Sequence, residues 1–433
     1  MRRRRPEAAS IEPDVTIGAT GTRAGGAQIP NRDFVRESQL KVIAVNDHVT
    51  STKPVSAPDW EQIRAQFPTL RTFVYLDTAK KALLPTGVQT AMQEWMNDVY
   101  TSAGAKAFAM ESVEETRTAA AALLGVPRST LALVKNTSEG MNTIAQGLAF
   151  KPGDNVIISK AEHENNTFPW RKLTEKGVEI RWVSPDAEGR TTVDRYAALI
   201  DGRTRVVTAA WVAYGNGYRN DIKALSALCR SRGARLVVDG MQALGFLSAR
   251  LPELGADAVV SGGHKALFSL AGAGIMYVTE DFVGEIHPCY GAKFSYTSND
   301  RLQDEPTFLP DARRFEYGNP NFVGCWVQKR SAEWLMGIGL DNIEARIRSL
   351  TTYMIEGADR RGIVVRTPRA WHERAAIVSF DLNDDAGRIV AGLRAKNICV
   401  SEKDGFVRAA VSFYNNTNDI DVLLDALAAR EAW

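Results

Sequence analysis

The sequence is poor in cysteine and has no long apolar run. Its four cysteines, Cys229, Cys289, Cys325 and Cys399, are scattered over 433 residues without CxxC or Cys/His spacing. That pattern argues against a disulfide scaffold, offers no metal-ligand set, and points to a reducing, cytoplasmic compartment. No uninterrupted apolar stretch reaches membrane-spanning length. Charge of one sign is missing too: 53 Lys and Arg face 51 Asp and Glu, a formal net charge of +2. Such a balance gives no reason to expect nucleic acid or a membrane as partner. The opening Arg2-Arg3-Arg4-Arg5 has no apolar segment behind it, so it does not read as an export signal. A dinucleotide fingerprint is also lacking. The segment from Gly18 to Gly26, GATGTRAGG, has no buried strand before it and no amphipathic helix after it. Gly215-Asn216-Gly217 lacks a third glycine, so a nucleotide-dependent oxidoreductase is disfavoured.

What is present is an ordinary globular balance, 45% hydrophobic and 24% charged, on a chain long enough for two domains. Residues 1–56 are rich in Arg, Gly, Thr, Ser and Pro and read as a disordered or extended arm. Asp59 is expected to cap a helix over 60–67, and residues 57–80 form an N-terminal segment. From 81 to 320 apolar runs alternate with helical periodicity. Strands are expected at 131–134, 156–158, 178–183, 206–211, 236–238, 258–260 and 273–278, with helices between. That order predicts an α/β large domain with a mainly parallel sheet covered on both faces. Residues 321–433 change texture and predict a smaller α+β domain ending in a helix over 419–430.

The stretch from Leu236 to Val278 organises the chain. Leu236-Val237-Val238 stops at Asp239, and Ala258-Val259-Val260 stops at Ser261-Gly262-Gly263-His264-Lys265. Continuous apolar runs bounded by turn residues read as strands buried on both faces. Two such strands bring an acid and a lysine to one sheet end, where open α/β folds bind ligands. Between them, 241–254 reads as a short helix or turn. Upstream, Asn136 followed three places later by Glu139 resembles a capping box. Thr137 and Ser138 then bring hydroxyls and free N–H groups to a helix N-terminus, a ready anion site. An acid, a lysine and an anion site suit pyridoxal phosphate, which needs a lysine for its aldehyde and a carboxylate for its ring nitrogen. An arginine gripping the substrate carboxylate completes the set.

These motifs, in this order, resemble fold-type I pyridoxal-phosphate enzymes of the class V aminotransferase group, which includes cysteine desulfurases, isopenicillin N epimerase and C–S lyases. The pieces are Tyr75-Leu76-Asp77, Asn136 to Gly140, Glu162-His163 through Pro169-Trp170, and Asp239-Gly240-Met241-Gln242. Gly263-His264-Lys265, Arg314 to Asn319 and Arg408 in VRAAVSFYN follow. The resemblance implies that Lys265 is the Schiff-base lysine and Asp239 the partner of the ring nitrogen. It implies Gln242 at the phenolic oxygen, and Thr137, Ser138 and His264 at the phosphate. His163 would stack on the ring, and Arg408 would hold the substrate α-carboxylate. A homodimer with shared sites is implied, with Asn319 reaching the partner's cofactor phosphate.

The departures are informative. The EHHxN motif of many relatives reads Glu162-His163-Glu164-Asn165-Asn166 here. Gly262 stands where relatives often carry Ser or Thr, and Tyr214 stands where some place Asn near the phenolic oxygen. Desulfurases carry a nucleophilic cysteine in a loop before the arginine motif. Here that loop is shortened to Ser401-Glu402-Lys403-Asp404-Gly405, and Cys399 falls inside an apolar run. The expectation is a pyridoxal-phosphate lyase cleaving a C–S bond of an amino acid or its conjugate, in specialised metabolism. An aminotransferase, an epimerase, a decarboxylation-coupled deaminase and a non-catalytic homologue are the alternatives.

Overall fold

The computed structural model of the protein describes residues 57–429. The expected arm over 1–56, the GATGTRAGG segment within it and the last residue of the expected 419–430 helix lie outside the described residues.

Thirteen strands are present among the described residues: β1 (Val74–Tyr75), β2 (Leu131–Val134), β3 (Asn155–Ser159), β4 (Glu179–Val183), β5 (Thr204–Ala210), β6 (Arg235–Asp239), β7 (Ala258–Gly262), β8 (Gly274–Val278), β9 (Val364–Val365), β10 (Ile377–Asp381), β11 (Ile398–Cys399), β12 (Ser401–Lys403) and β13 (Phe406–Ala410). Seven form the central sheet in the order β2-β8-β7-β6-β5-β3-β4. Strands β4, β3, β5, β6 and β7 pair in parallel. Strand β8 runs against both β7 and β2. Strand β2 therefore points the same way as β7, and six strands deliver their carboxyl ends to one edge. The expected α/β class with a mainly parallel sheet is what the chain forms.

Burial explains why the apolar runs are continuous. Leu236, Val237 and Val238 are fully buried, yet they alternate between two cores. Leu236, Val238, Val259 and Ile157 pack on one face of the sheet. Val237, Val260, Val156 and Ile158 pack on the other. Strand periodicity sends neighbours to opposite faces, and helices cover both.

A second sheet, ordered β12-β13-β10-β9, lies in the C-terminal part, and β1 pairs in parallel with β11. One open alternative is settled here, one expectation changes and one element goes beyond the sequence reading. The 241–254 stretch is a series of turns with only Leu251–Leu254 helical. Gly245, at φ +94°, lies so close to the Ala266 carbonyl that a side chain there would collide with it, which breaks any continuous helix. The expected loop over 401–405 is instead strand β12 and a two-residue turn into β13. Asp404 and Gly405 both adopt positive φ, as a tight Asp-Gly hairpin turn requires. Finally, the helix Ala386–Ala395 has no clear signature in the sequence. It buries Ala386, Ile389 and Leu393 and is capped by Asp385, but Gly387 and Gly392 blur its periodicity.

Candidate active site

The carboxyl edge of the central sheet opens into a cavity of about 240 Å³. Thr137, His163, Tyr214, Asp239, Gln242, His264, Lys265 and Arg408 all line it. Eight of the expected site residues, spread over most of the chain, are thus brought together. Lys80, Asn136, Asn165, Met241 and Lys403 line it too. Sequence reasoning did not single out Lys80 or Lys403.

Asp239 ends β6 and is 6% exposed. Its Oδ1 accepts from the Met241 N–H at 2.8 Å. Burial pushes its pKa above the usual carboxylate range, and the Met241 N–H and the Lys265 charge only partly offset this. Lys265 follows β7. Burial lowers its amine to about 8, opposed by Asp239 and assisted by Arg408 and Lys403. An amine at that value is a competent nucleophile and proton carrier near neutrality.

Asn136 caps the helix Thr137–Gly147 by accepting from the Glu139 N–H at 2.9 Å. The reciprocal arm differs from a capping box, because the Glu139 carboxylate takes the N–H of Lys135 rather than that of Asn136. Thr137 Oγ1 accepts from the Gly262 N–H at 3.1 Å, tying the helix start to β7. Ser138 sits in the first turn of this helix but does not line the cavity.

His163 Nδ1 accepts from the Asn165 N–H at 3.1 Å, which assigns the proton to Nε2. Glu164 Oε2 lies 3.3 Å from the same nitrogen, a contact that would need that nitrogen protonated. Burial lowers the His163 pKa, and the neutral ring is the better description. Its ring meets that of Tyr214 edge-on, with centroids 5.1 Å apart. Beneath this loop, Glu162 accepts from the Ala210 N–H at 2.7 Å and from Asn166 Nδ2 at 2.8 Å. Asn166 Oδ1 in turn accepts from Thr208 Oγ1 at 2.6 Å. The motif's acid and last asparagine therefore hold the loop to β5. Burial raises Glu162 to about 8.

Arg408, on β13, is 2% exposed. Its Nη1 donates to the Tyr214 carbonyl at 2.7 Å, and its Nη2 faces Asp77 Oδ1 at 3.5 Å. Asp77 Oδ1 also accepts from Ser401 Oγ at 2.6 Å, and Ser401 is the register partner of Arg408 across the hairpin. Two further carbonyls of the Tyr214 loop are held by the same side of the molecule. Ser379 donates to Gly215 and Thr367 to Asn216, each at 2.6 Å. Gln242 Nε2 donates to the Ala79 carbonyl at 2.9 Å, leaving its second N–H free. Asn319 is exposed and borders a separate hollow with Glu139, Tyr317 and Phe294. None of the four cysteines lines the cavity.

Comparison with known proteins decides the lineage at this point. Residues 74–423 match the family described as Aminotransferase class-V. The chain belongs to that family. A cysteine desulfurase from Salmonella agona is 30% identical over 398 residues, covering 85% of this chain and 97% of that protein. A probable cysteine desulfurase from Methanothermobacter thermautotrophicus is 28% identical, with 85% and 97% covered. The cysteine desulfurase CsdA of Escherichia coli superposes with a TM-score of 0.77 at 25% identity, over 86% of this chain and 98% of that one. The cystine C–S lyase C-DES, solved with cysteine persulfide, gives a TM-score of 0.78 at 21% identity, a likeness of fold, over 84% and 99%. The α/β scaffold with its mainly parallel sheet is that of the fold-type I class V enzymes.

Proposed function

We propose that the protein is a pyridoxal-phosphate enzyme that cleaves a C–S bond of a cysteine-type amino acid by β-elimination. The observation that carries the reading is one cavity holding Lys265, Asp239, Arg408 and His163 with no thiol beside them.

The residues fit the cofactor. Asp239 is a buried carboxylate with one oxygen unengaged and burial working against its charge, so a protonated ring nitrogen opposite would supply the missing cation. Lys265 would carry the cofactor's aldehyde carbon. Thr137 and His264, which line the cavity, would hold the phosphate at the helix start, His163 and Tyr214 would wall the ring, and Gln242 would face its phenolic oxygen. When bound, pyridoxal phosphate supplies an electron sink for the bond broken at the substrate α-carbon.

The chain's own residues do the rest. Arg408 holds the α-carboxylate, and its Nε, buried without a partner, is free to take part. The Tyr214 carbonyl and Asp77 fix its fork. Lys265 takes the proton from the α-carbon. The Cβ–S bond breaks, the sulfur leaves as a thiol, and the three-carbon remainder takes up water to become pyruvate and ammonia. A desulfurase route transfers sulfur to an enzyme cysteine, and the hairpin turn Asp404-Gly405 leaves none at the cavity. Incubating the loaded protein with cystine and S-alkyl cysteines tests this. Pyruvate is expected; alanine as the three-carbon product would contradict elimination.

A cytoplasmic homodimer completes the proposal. Among the described residues no helix is long and apolar enough to cross a membrane. On the helix Thr86–Ser102, Met92, Met96 and Tyr100 form an exposed stripe at four-residue spacing. A second copy covering that stripe is the proposed subunit contact, and Asn319, exposed and outside this cavity, is proposed to serve the partner's phosphate site.

A further inference from the structure

Two lysines of the cavity have no task in the reaction just described. Lys80 is fixed by a turn in which its N–H and that of Lys81 both donate to the Asp77 carbonyl. The carbonyl of Ala79 beside it is held by Gln242. Lys403 is the last residue of β12, opposite Phe406, on a tight turn with two positive-φ residues. Both backbones are therefore rigid, and both side chains line the cavity. Neither side chain makes a hydrogen bond or ion pair among the described residues.

The charges do not balance. The cavity is lined by Lys80, Lys265, Lys403 and Arg408, against Asp239 as its one carboxylate. Asp77 sits behind Arg408, with Lys80 as a second cation acting on it without a hydrogen bond. Glu164 and Asp404 stand nearby, but Glu164 faces His163, and Asp404 lies against Gly215. Once Asp239 meets the ring nitrogen, Lys265 the aldehyde and Arg408 the α-carboxylate, two cations remain. Thr137 and His264 mark the phosphate end, and the Ala82 N–H, two residues past Lys80, donates to the His264 carbonyl at 3.1 Å. The phosphate is therefore the rival claimant for this pair, and cofactor uptake by the lysine variants separates the two. Like charges held together in a small hollow repel, and a complementary anion relieves that cost.

Building on the function proposed above, we infer that Lys80 and Lys403 receive a second acidic group on the substrate, beyond its sulfur. The substrate class is then a cysteine S-conjugate whose departing fragment carries a carboxylate or similar anion.

The test uses the loaded protein and two near-isosteric ligands, S-(2-carboxyethyl)cysteine and S-(2-carbamoylethyl)cysteine, titrated against its near-visible band. The acid is expected to bind about tenfold more tightly than the amide at low salt, the ratio shrinking as salt rises. In Lys80→Gln and Lys403→Gln the ratio should fall, and in the double variant it should approach one. A ratio near one in the parent protein, or a ratio unchanged in the double variant, overturns the inference while leaving the cofactor assignment standing. Loss of cofactor uptake in the double variant also overturns it, because the lysines would then belong to the phosphate. A parent protein that takes up no pyridoxal phosphate sinks the underlying reading itself, a result distinct from both.

Discussion

At the scale of single residues, the electrostatics of the cavity set a pH dependence. Lys265 titrates at about 8, against an ordinary value of 10.5. At pH 7 roughly one molecule in ten therefore presents the free amine, against fewer than one in a thousand for an ordinary lysine. Capture of pyridoxal phosphate by the apoprotein should speed up with rising pH, with a midpoint near 8. Asp239 raises the Lys265 value, so Asp239→Asn should move that midpoint down; stopped-flow absorbance measures both. Arg408 allows a second prediction. Arg408→Lys keeps the charge but loses the planar fork, and should weaken amino-acid binding roughly 10- to 100-fold, the worth of charge-assisted hydrogen bonds. Arg408→Ala would in addition strip buried Asp77 of its hydrogen-bonded cation, leaving only the Lys80 charge nearby, at a cost of up to about 3–5 kcal/mol in stability, so the lysine variant reads binding more cleanly.

At the scale of elements, the site depends on one loop. The carbonyls of Tyr214, Gly215 and Asn216 are held by Arg408, Ser379 and Thr367. Gly217 makes that docking possible, since it lies at φ +77° and a Cβ there would come within 2.5 Å of the Ile377 carbonyl. Gly217→Ala should destabilise the protein by about 1–3 kcal/mol and also weaken carboxylate binding through Arg408. Gly233→Ala is the control: it has φ +71° but nothing nearby, and should cost only about 1 kcal/mol with binding intact. Thermal unfolding and ligand titration on the same samples separate the two. This is also where the sequence stops being legible. Asp239 and Lys265 stand out because each ends an apolar run too short for anything but a buried strand. Asn136 stands out because a cap has a local signature, though the Glu139 contact is displaced by one residue. Arg408 is legible only through the family resemblance. Its pairing with Asp77, 331 residues away, leaves no local trace, nor does the grip on the Tyr214 loop. Lys403 is not legible as a site residue because 401–405 reads as a shortened loop, although Asp404-Gly405 is a strong turn signal.

At the scale of the whole molecule, the cofactor should act as a ligand of the folded state. Saturating pyridoxal phosphate should raise the unfolding temperature, by mass action. If the stripe of Met92, Met96 and Tyr100 is the subunit contact, Met96→Glu should produce monomers by light scattering and weaken cofactor retention. The central claim is that one sheet edge gathers a lysine and an acid around pyridoxal phosphate, and the near-visible absorption spectrum tests it most directly. The protein mixed with pyridoxal phosphate should show a yellow band that survives dialysis, disappears with borohydride and fails to form in Lys265→Ala. A colourless protein, or a variant as yellow as its parent, would contradict the account.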